Sequence, residues 1–170
     1  NGKTVQVSGV TKSGTDAGNY AITQPTTTAN ITAKTLTVTG ITASNRVYDA
    51  TISATALLSY GSAALQGTET GDTVTLDTTQ IAAVFLNKNV GTGKSVVVSG
   101  LTIGGTDSGN YSLTQPTTTA NITAKTLTVS GITAANKTYN ASTTATLNTG
   151  SAAFVGVESG DTVTIGVGSA

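Results

Sequence analysis

The chain has no His, Cys, Met or Trp among its 170 residues, only two Pro, and an aromatic content of 4%. Each gap removes a class of chemistry. Without His and Cys, the commonest metal ligands and the Ser–His–Asp and Cys–His nucleophile systems are missing. Without Cys there is no disulfide framework, and nothing firm follows about compartment. Charged residues make up 9%, eight basic against eight acidic, so the net charge is zero. Such a chain has no field to steer it toward nucleic acid or an anionic membrane. No apolar run reaches the roughly 18 residues of a membrane-spanning helix. No catalytic residue, cofactor site or metal site is expected.

What is present is Thr, 38 residues, beside 20 Gly. Thr, Val and Ile carry two heavy atoms on Cβ, which stiffens χ1 and favours extended backbone. Val, Ile and Leu recur regularly, whereas disordered chains are rich in Pro, Glu, Lys and Ser. The reading is all-β with Gly-rich turns. The chain opens on Asn1 with no Met and no signal peptide, which reads as a piece of something longer.

Internal repetition decides the organisation. Gly2–Gly9 returns as Gly93–Gly100, Gly18-Asn-Tyr20 as Gly109-Asn-Tyr111, and Tyr48-Asp-Ala50 as Tyr139-Asn-Ala141. Gln24–Val38 returns unchanged as Gln115–Val129, all at an offset of 91 residues. Ser62-Ala-Ala64 and Gly71–Thr75 return at an offset of 89, as Ser151-Ala-Ala153 and Gly160–Thr164. The two-residue length difference is expected near Leu57–Gly61, with Tyr60 on an exposed loop. A period near 91 is too long for a solenoid coil and matches one small domain. The expectation is tandem, immunoglobulin-like β-sandwich domains. Residues 1–34 would be the end of one repeat, 35–125 a complete repeat and 126–170 the start of the next.

Alternation places strands at Thr35–Thr39, Ile52–Leu58, Thr73–Leu76, Ile81–Leu86, Ser95–Val98, Leu101–Ile103, Tyr111–Leu113 and Thr118–Thr123. Positions apolar in both copies should face inward, and positions that turn polar should face out. Val96, Val98, Leu101, Leu113, Ile122, Val74 and Leu76 are therefore expected inside, Val97 and Ile103 outside. Between units, Ala120–Ser130 holds no Gly or Pro, and its apolar parity flips at Lys125-Thr126. One continuous, stiff strand leaving one core for the next is expected there, with Lys34 and Lys125 on the surface of each joint.

Four stretches carry a family likeness. They are Arg46-Val-Tyr-Asp-Ala-Thr51 with its copy Lys137-Thr-Tyr-Asn-Ala-Ser142, Leu86-Asn-Lys-Asn-Val-Gly-Thr-Gly-Lys94, Gly105-Thr-Asp-Ser-Gly-Asn-Tyr-Ser-Leu113 and Ala120-Asn-Ile-Thr-Ala-Lys125. Over essentially its whole length the chain resembles the YDG/MBG-type repeats of very large bacterial surface and secreted adhesins, including haemagglutinin-like exoproteins. The first stretch stands for the name-giving Lys-x-Tyr-Asp-Gly-Thr element, the second for the Lys-Asn-Val-Gly turn, and the last two for the closing strands. Ala50 and Ala141 stand where the family has Gly, and Asn140 stands for Asp. These departures argue against an obligatory Asp ligand and against a Gly-dependent turn. The resemblance implies tandem extracellular domains acting as stalk or spacer, sometimes as adhesive surface, with no catalysis.

Each chemistry-bearing position also has a structural reading. Asp16 and Asp107 sit in Gly-Thr-Asp-x-Gly-Asn-Tyr loops and read as Asx-turns, since calcium asks for six to eight oxygens. Glu69/Asp72 and Glu158/Asp161 read as hairpin turns, with weak calcium binding as the other option. The Thr-x-Thr strings, such as Thr35-Leu-Thr37 and Thr73-Val-Thr75, read as solvent faces of strands rather than as an ice-binding plane. Tyr20/Tyr111 and Tyr48/Tyr139 read as closures of a sandwich edge, ring buried and hydroxyl wet or bonded. Lys34/Lys125 near Asn30/Asn121 suggest a Lys–Asn isopeptide bond only if a buried carboxylate stands beside them. Asn30, Asn110, Asn121, Asn136 and Asn140 open Asn-x-Ser/Thr sequons, as expected by chance in a Thr-rich chain.

The function expected is a non-catalytic stalk or spacer of an extracellular bacterial adhesin or biofilm fibre, at the cell surface. Its partners would be neighbouring repeats, and other copies by strand complementation. A glycan- or protein-binding module and a self-associating filament subunit are the alternatives.

Overall fold

The structure, a computed structural model, describes residues 1–166, so the end of the 126–170 segment lies outside the described residues. It is all-β and curled, with three single-turn 3-10 segments as the only helical elements among the described residues. The first hairpin joins β1 (Lys3–Gln6) and β2 (Thr26–Ala29). The complete copy holds β3 (Lys34–Thr39), β4 (Thr42–Ala43), β5 (Arg46–Val47), β6 (Leu58–Ser59), β7 (Ala64–Gln66) and β8 (Thr75–Asp77). It continues with β9 (Ala82–Phe85), β10 (Gly91–Ser99), β11 (Thr102–Gly104), β12 (Tyr111–Leu113) and β13 (Thr117–Thr123). Beyond it lie β14 (Thr128–Ser130), β15 (Thr133–Ala134), β16 (Leu147–Asn148) and β17 (Ala153–Val155).

Two sheets carry the complete copy, ordered β5-β13-β10-β9 and β12-β3-β7, with the pairs β11-β8 and β4-β6 at their margins. Most neighbours are antiparallel, but β12 runs parallel to β3 and β13 parallel to β5. Both parallel pairs join the end of the copy to its beginning. The period-2 alternation of β3 points Leu36 and Val38 inward, at 0% and 8% exposure. They belong with Phe85, Val96, Val98, Leu101 and Ile122 to the buried set. Each such side chain contributes roughly 1.5–3 kcal/mol of burial.

The repeat seen in the letters is also a repeat of pairing. Lys3↔Ala29 to Gln6↔Thr26 reproduces Lys94↔Ala120 to Val97↔Thr117. Thr128↔Val155 reproduces Thr37↔Gln66, and Thr133↔Asn148 reproduces Thr42↔Ser59. What differs is burial. Val96 and Leu101 are nearly unexposed, while their counterparts Val5 and Val10 are 42% and 46% exposed.

Several expectations need correction. Ile52–Leu58 is not a strand: Ser53 makes one bridge to Val84, and Thr55–Leu57 is a 3-10 turn. The cause is local. Ala54 is fully buried, and the Thr55 hydroxyl accepts a bond from the Ala83 N–H at 2.9 Å, which turns the chain. The short strands β4, β5 and β7 were not anticipated; at two or three residues they are too brief for alternation to register. The length difference lies before Leu57, because Ser44 N–H donates to Leu57 O as Ala135 N–H donates to Thr146 O. It falls between Ser53, matched by Thr144 in the Arg46 and Lys137 bonds, and Leu57, so that residues 54–56 stand against Ala145 alone, rather than in the Tyr60 loop. The junction is not one continuous strand, since β13 ends at Thr123 and β14 starts at Thr128. Val74, Leu76 and Leu113 are half-buried rather than buried, and Val97 and Ile103 are half-buried rather than exposed. Ile103 lies opposite Leu76 across the β11-β8 pair, which shields both.

The turn at Ala50 does need the left-handed conformation. Ala50 and Ala141 have φ of 61° and 57°. A Cβ there costs about 1–2 kcal/mol in the left-handed region. Ala50→Gly should therefore raise stability by about 0.5–1 kcal/mol in urea melts, relief of strain outweighing the added unfolded-state entropy; unchanged or lowered stability would show the turn is unstrained. Val98→Asp should cost at least about 3 kcal/mol by burying an unpaired carboxylate. Val84→Asp, on the 41%-exposed outer face of β9, should cost under about 1 kcal/mol. Equal losses in the same melts would refute this assignment of faces.

Candidate functional site at the junction between copies

The Arg46–Thr51 motif is a loop built around a cation. The Arg46 side chain, 9% exposed, lies 4.9 Å from the Phe85 ring centroid. It donates to Asp49 Oδ2 at 3.0 Å, to Ser53 O at 2.7 Å and to the Thr51 carbonyl. Asp49 Oδ1 accepts the Thr51 N–H at 3.0 Å, an Asx-turn. The second copy does the same with other letters. Lys137 Nζ donates to Asn140 Oδ1, Ser142 O and Thr144 O, and Asn140 Oδ1 accepts the Ser142 N–H at 3.2 Å. Asp and Asn exchange here because the turn needs one side-chain oxygen, not a charge.

The tyrosine of this motif points elsewhere. Tyr48 donates its hydroxyl to Asp161 Oδ2 at 2.6 Å, a residue of the following copy. Lys88, from the Leu86–Lys94 stretch, donates to Asp161 Oδ1 at 2.7 Å and sits 5.8 Å from the Tyr48 ring centroid. Lys125 pairs with Glu158 at 2.5 Å. The two turns that resemble the family motif therefore hold one carboxylate of the next copy. Bonds from Lys88, then Tyr48, hold the Asp161 carboxyl below its ordinary value against the opposing effect of burial. The same contact, Asp161 first and Tyr48 second, raises the Lys88 ammonium.

The equivalent carboxylates in the complete copy bond within it. Lys34 pairs with Glu69 at 2.5 Å. Tyr111, 8% exposed, donates to Asp72 Oδ2 at 2.5 Å and accepts the Glu69 N–H at 3.1 Å. The bond to Asp72 raises the Tyr111 hydroxyl above its usual value. Glu69–Asp72 is a turn closed by Asp72 N–H to Glu69 O, but it is a corner rather than a hairpin, because β7 and β8 belong to different sheets.

The remaining candidates have structural partners. Asp107 Oδ2 accepts the Thr73 N–H at 2.8 Å, so it pins its loop to β8's entry rather than forming a local Asx-turn. Asp16 reaches only the neighbouring Thr15 hydroxyl, at 3.4 Å. Among the described residues no three His, Cys, Asp or Glu cluster as metal ligands would. The Lys–Asn pairs are separated: Asn30 Oδ1 accepts from Gly2 N–H and Asn121 Oδ1 from Gly93 N–H, while Lys34 and Lys125 go to glutamates. Asn110, Asn136 and Asn140 are exposed. The Thr-x-Thr residues lie on exposed faces. Tyr111 closes an edge as expected; Tyr48 reaches the next copy, and Tyr20 and Tyr139 are 70% and 90% exposed.

Sequence reasoning missed the reach of Tyr48 and Lys88 across the junction, for which spacing offers no signal. It also missed Gln115, which brackets Leu101 by accepting its N–H at 3.2 Å and donating to its O at 2.8 Å. Gln24 does the same to Val10, and the repeated Gln-Pro pair was a signal available for it.

The junction should respond to pH at both ends of the scale. A carboxylate lowered in the folded state stabilises above its unfolded value, and the benefit is lost as pH falls through the lowered one. A raised lysine stabilises below its unfolded value and loses that as pH rises through the raised one. The two copies should tumble together at pH 7, in NMR relaxation, and separately once the pH falls through the lowered value of Asp161. Asp161→Asn should uncouple them at pH 7 with the melting of the complete copy unchanged. Coupling retained in that variant would show that these bonds do not set the junction.

The YDG domain model matches residues 32–120 and again 123–170. Neither the curated proteins nor the solved structures yield a match. Matched over most of its length, on both copies and on the turns that meet at the junction, the chain belongs to the YDG domain family.

Proposed function

We propose that this chain is a non-catalytic spacer: tandem β-sandwich domains, immunoglobulin-like in layering, within the stalk of an extracellular bacterial adhesin or fibre. The observation that carries this reading is the junction. The family's Tyr and Lys reach across to Asp161, and Lys125 reaches Glu158. Residues normally scanned for ligand binding are spent on holding one copy against the next. Two sheets sharing one buried set in the complete copy support the layering, and the repeated pairing registers support the tandem arrangement. The parallel β3·β12 and β5·β13 pairs depart from the wholly antiparallel sheets of an immunoglobulin domain.

A spacer works by keeping its length. From compactness scaling each unit would span roughly 30–40 Å, and a junction without Gly or Pro between Pro116 and Gly131 adds little slack. Inserting Gly-Gly after Lys125 should widen the distance distribution in small-angle X-ray scattering and raise interdomain mobility. A distribution unchanged by the insertion would contradict the spacer reading.

A further inference from the structure

Arg46 carries a cost that packing in its own copy does not require. Its side chain is 9% exposed, yet its Nε is buried with no hydrogen-bond partner among the described residues. A buried charge with an unmet donor is unfavourable, and an apolar side chain of similar length in such a place is often no less stable. Phe85, 4.9 Å from the guanidinium, offers packing that a methionine would also find. What the cation adds is a cage.

Its terminal nitrogens reach oxygens on the far side of the next turn: Asp49 Oδ2, Thr51 Oγ1, the Thr51 carbonyl and Ser53 O. Between these anchors the chain passes through Ala50 at φ 61°, a left-handed conformation that persists only where its surroundings impose it. Tyr48 rides on the same loop. Its N–H donates to Thr123 O at 2.9 Å, and its hydroxyl meets Asp161 at 2.6 Å. Lys137 builds the same cage from an exposed position, on Asn140 Oδ1, Ser142 O and Thr144 O, and Ala141 again has a φ of 57°. Burial is therefore not what shapes the loop; the cation is.

We propose that Arg46 is the positioning residue of the junction, holding the loop that aims the Tyr48 hydroxyl at Asp161. Its side-chain bonds stay within residues 49–53, so it acts through Tyr48 and not by touching the following copy. Without the cage, the turn relaxes out of the left-handed form and Tyr48 swings off the carboxylate. Lys88 then remains as the donor from the complete copy. The inference rests on the spacer reading in one respect: the junction is the site that Arg46 serves.

Arg46→Met in the 170-residue chain tests this, with Asp161 followed by carboxyl-carbon NMR titration and the junction by NMR relaxation. Tyr48 and Lys88 are the groups bonded to Asp161, and the Lys125–Glu158 pair lines the same cleft. The Asp161 midpoint should rise toward the ordinary carboxylate value, and the two copies should tumble separately at pH 7. The melting of the complete copy should stay that of wild type. Arg46→Lys should restore both NMR readings, as Lys137 holds the same cage in the next copy. Should Arg46→Met not fold, Asp49→Ala opens the cage from its other side, at a residue whose side chain is 46% exposed. It should loosen the junction and raise the Asp161 midpoint, whereas Asp49→Asn should do neither, since Asn140 serves in that place. Wild-type coupling and midpoint in Arg46→Met, or equal loosening in Asp49→Ala and Asp49→Asn, overturns the proposal. So does melting that falls in step with the loss of coupling in both Arg46→Met and Asp49→Ala, which makes the cation a part of the core. If Asp161→Asn still loosens the junction in those cases, the spacer reading stands; a wild-type junction already loose at pH 7 overturns both.

Discussion

Closure of a repeat depends on pairing its last strands with its first. β12 lies on β3 and β13 on β5, in register across about 77 residues of chain. Where both partners are present, Leu36, Phe85 and Ile122 leave water and Tyr111 finds its carboxylate. Where one is missing, the same letters fold to the same local pairs but stay wet. Val129, one repeat beyond Val38, is 47% exposed, and Val5, one repeat before Val96, is 42% exposed. Local propensity makes the hairpins; the core forms where β9, β10 and β13 pack with β3 in one complete copy.

The few charges follow the same rule. Asp49, Asp77 and Asp107 each accept a backbone N–H, and Asp72 accepts a tyrosine hydroxyl. Glu69 holds Lys34, which opens β3, Glu158 holds its counterpart Lys125, three residues before β14, and Asp161 holds two donors from the copy before it. A chain so poor in charge uses its carboxylates as acceptors for donors that the strands cannot satisfy. Asp16, in the copy of the Asp107 loop, has only the neighbouring Thr15 hydroxyl as a side-chain partner.

Much of this was legible in the sequence. Alternation in Leu36/Val38 and Val96/Val98 identified strands and their buried faces, because a period of two is visible within five residues. Agreement between the copies marked Leu101 and Ile122 as core. Gly-to-Ala at position 50 suggested that the turn had changed, whereas the backbone kept its left-handed form: a substitution does not say whether strain was relieved or tolerated. Ile52–Leu58 looked like a strand because it is apolar, yet Ala54 and Thr55 bury by turning. The junction was the least legible part. Tyr48, Lys88 and Asp161 lie 113 and 73 residues apart in pairs, and no periodicity links positions whose meeting depends on how one copy seats on the next.

The parallel sense of β5 and β13 has a mechanical consequence. Under a pull applied between Lys34 and Lys125, β3 and then β5 are drawn toward the N-terminal end while β12 and β13 are drawn toward the C-terminal end. Because the strands of each pair run in the same direction, these opposite pulls slide one along the other. The bonds between them, with Tyr48 N–H to Thr123 O at 2.9 Å beside them, are then loaded in shear and must fail together rather than unzip singly. In an antiparallel pair of the same strands, the load would peel the ladder open from one end, one bond at a time.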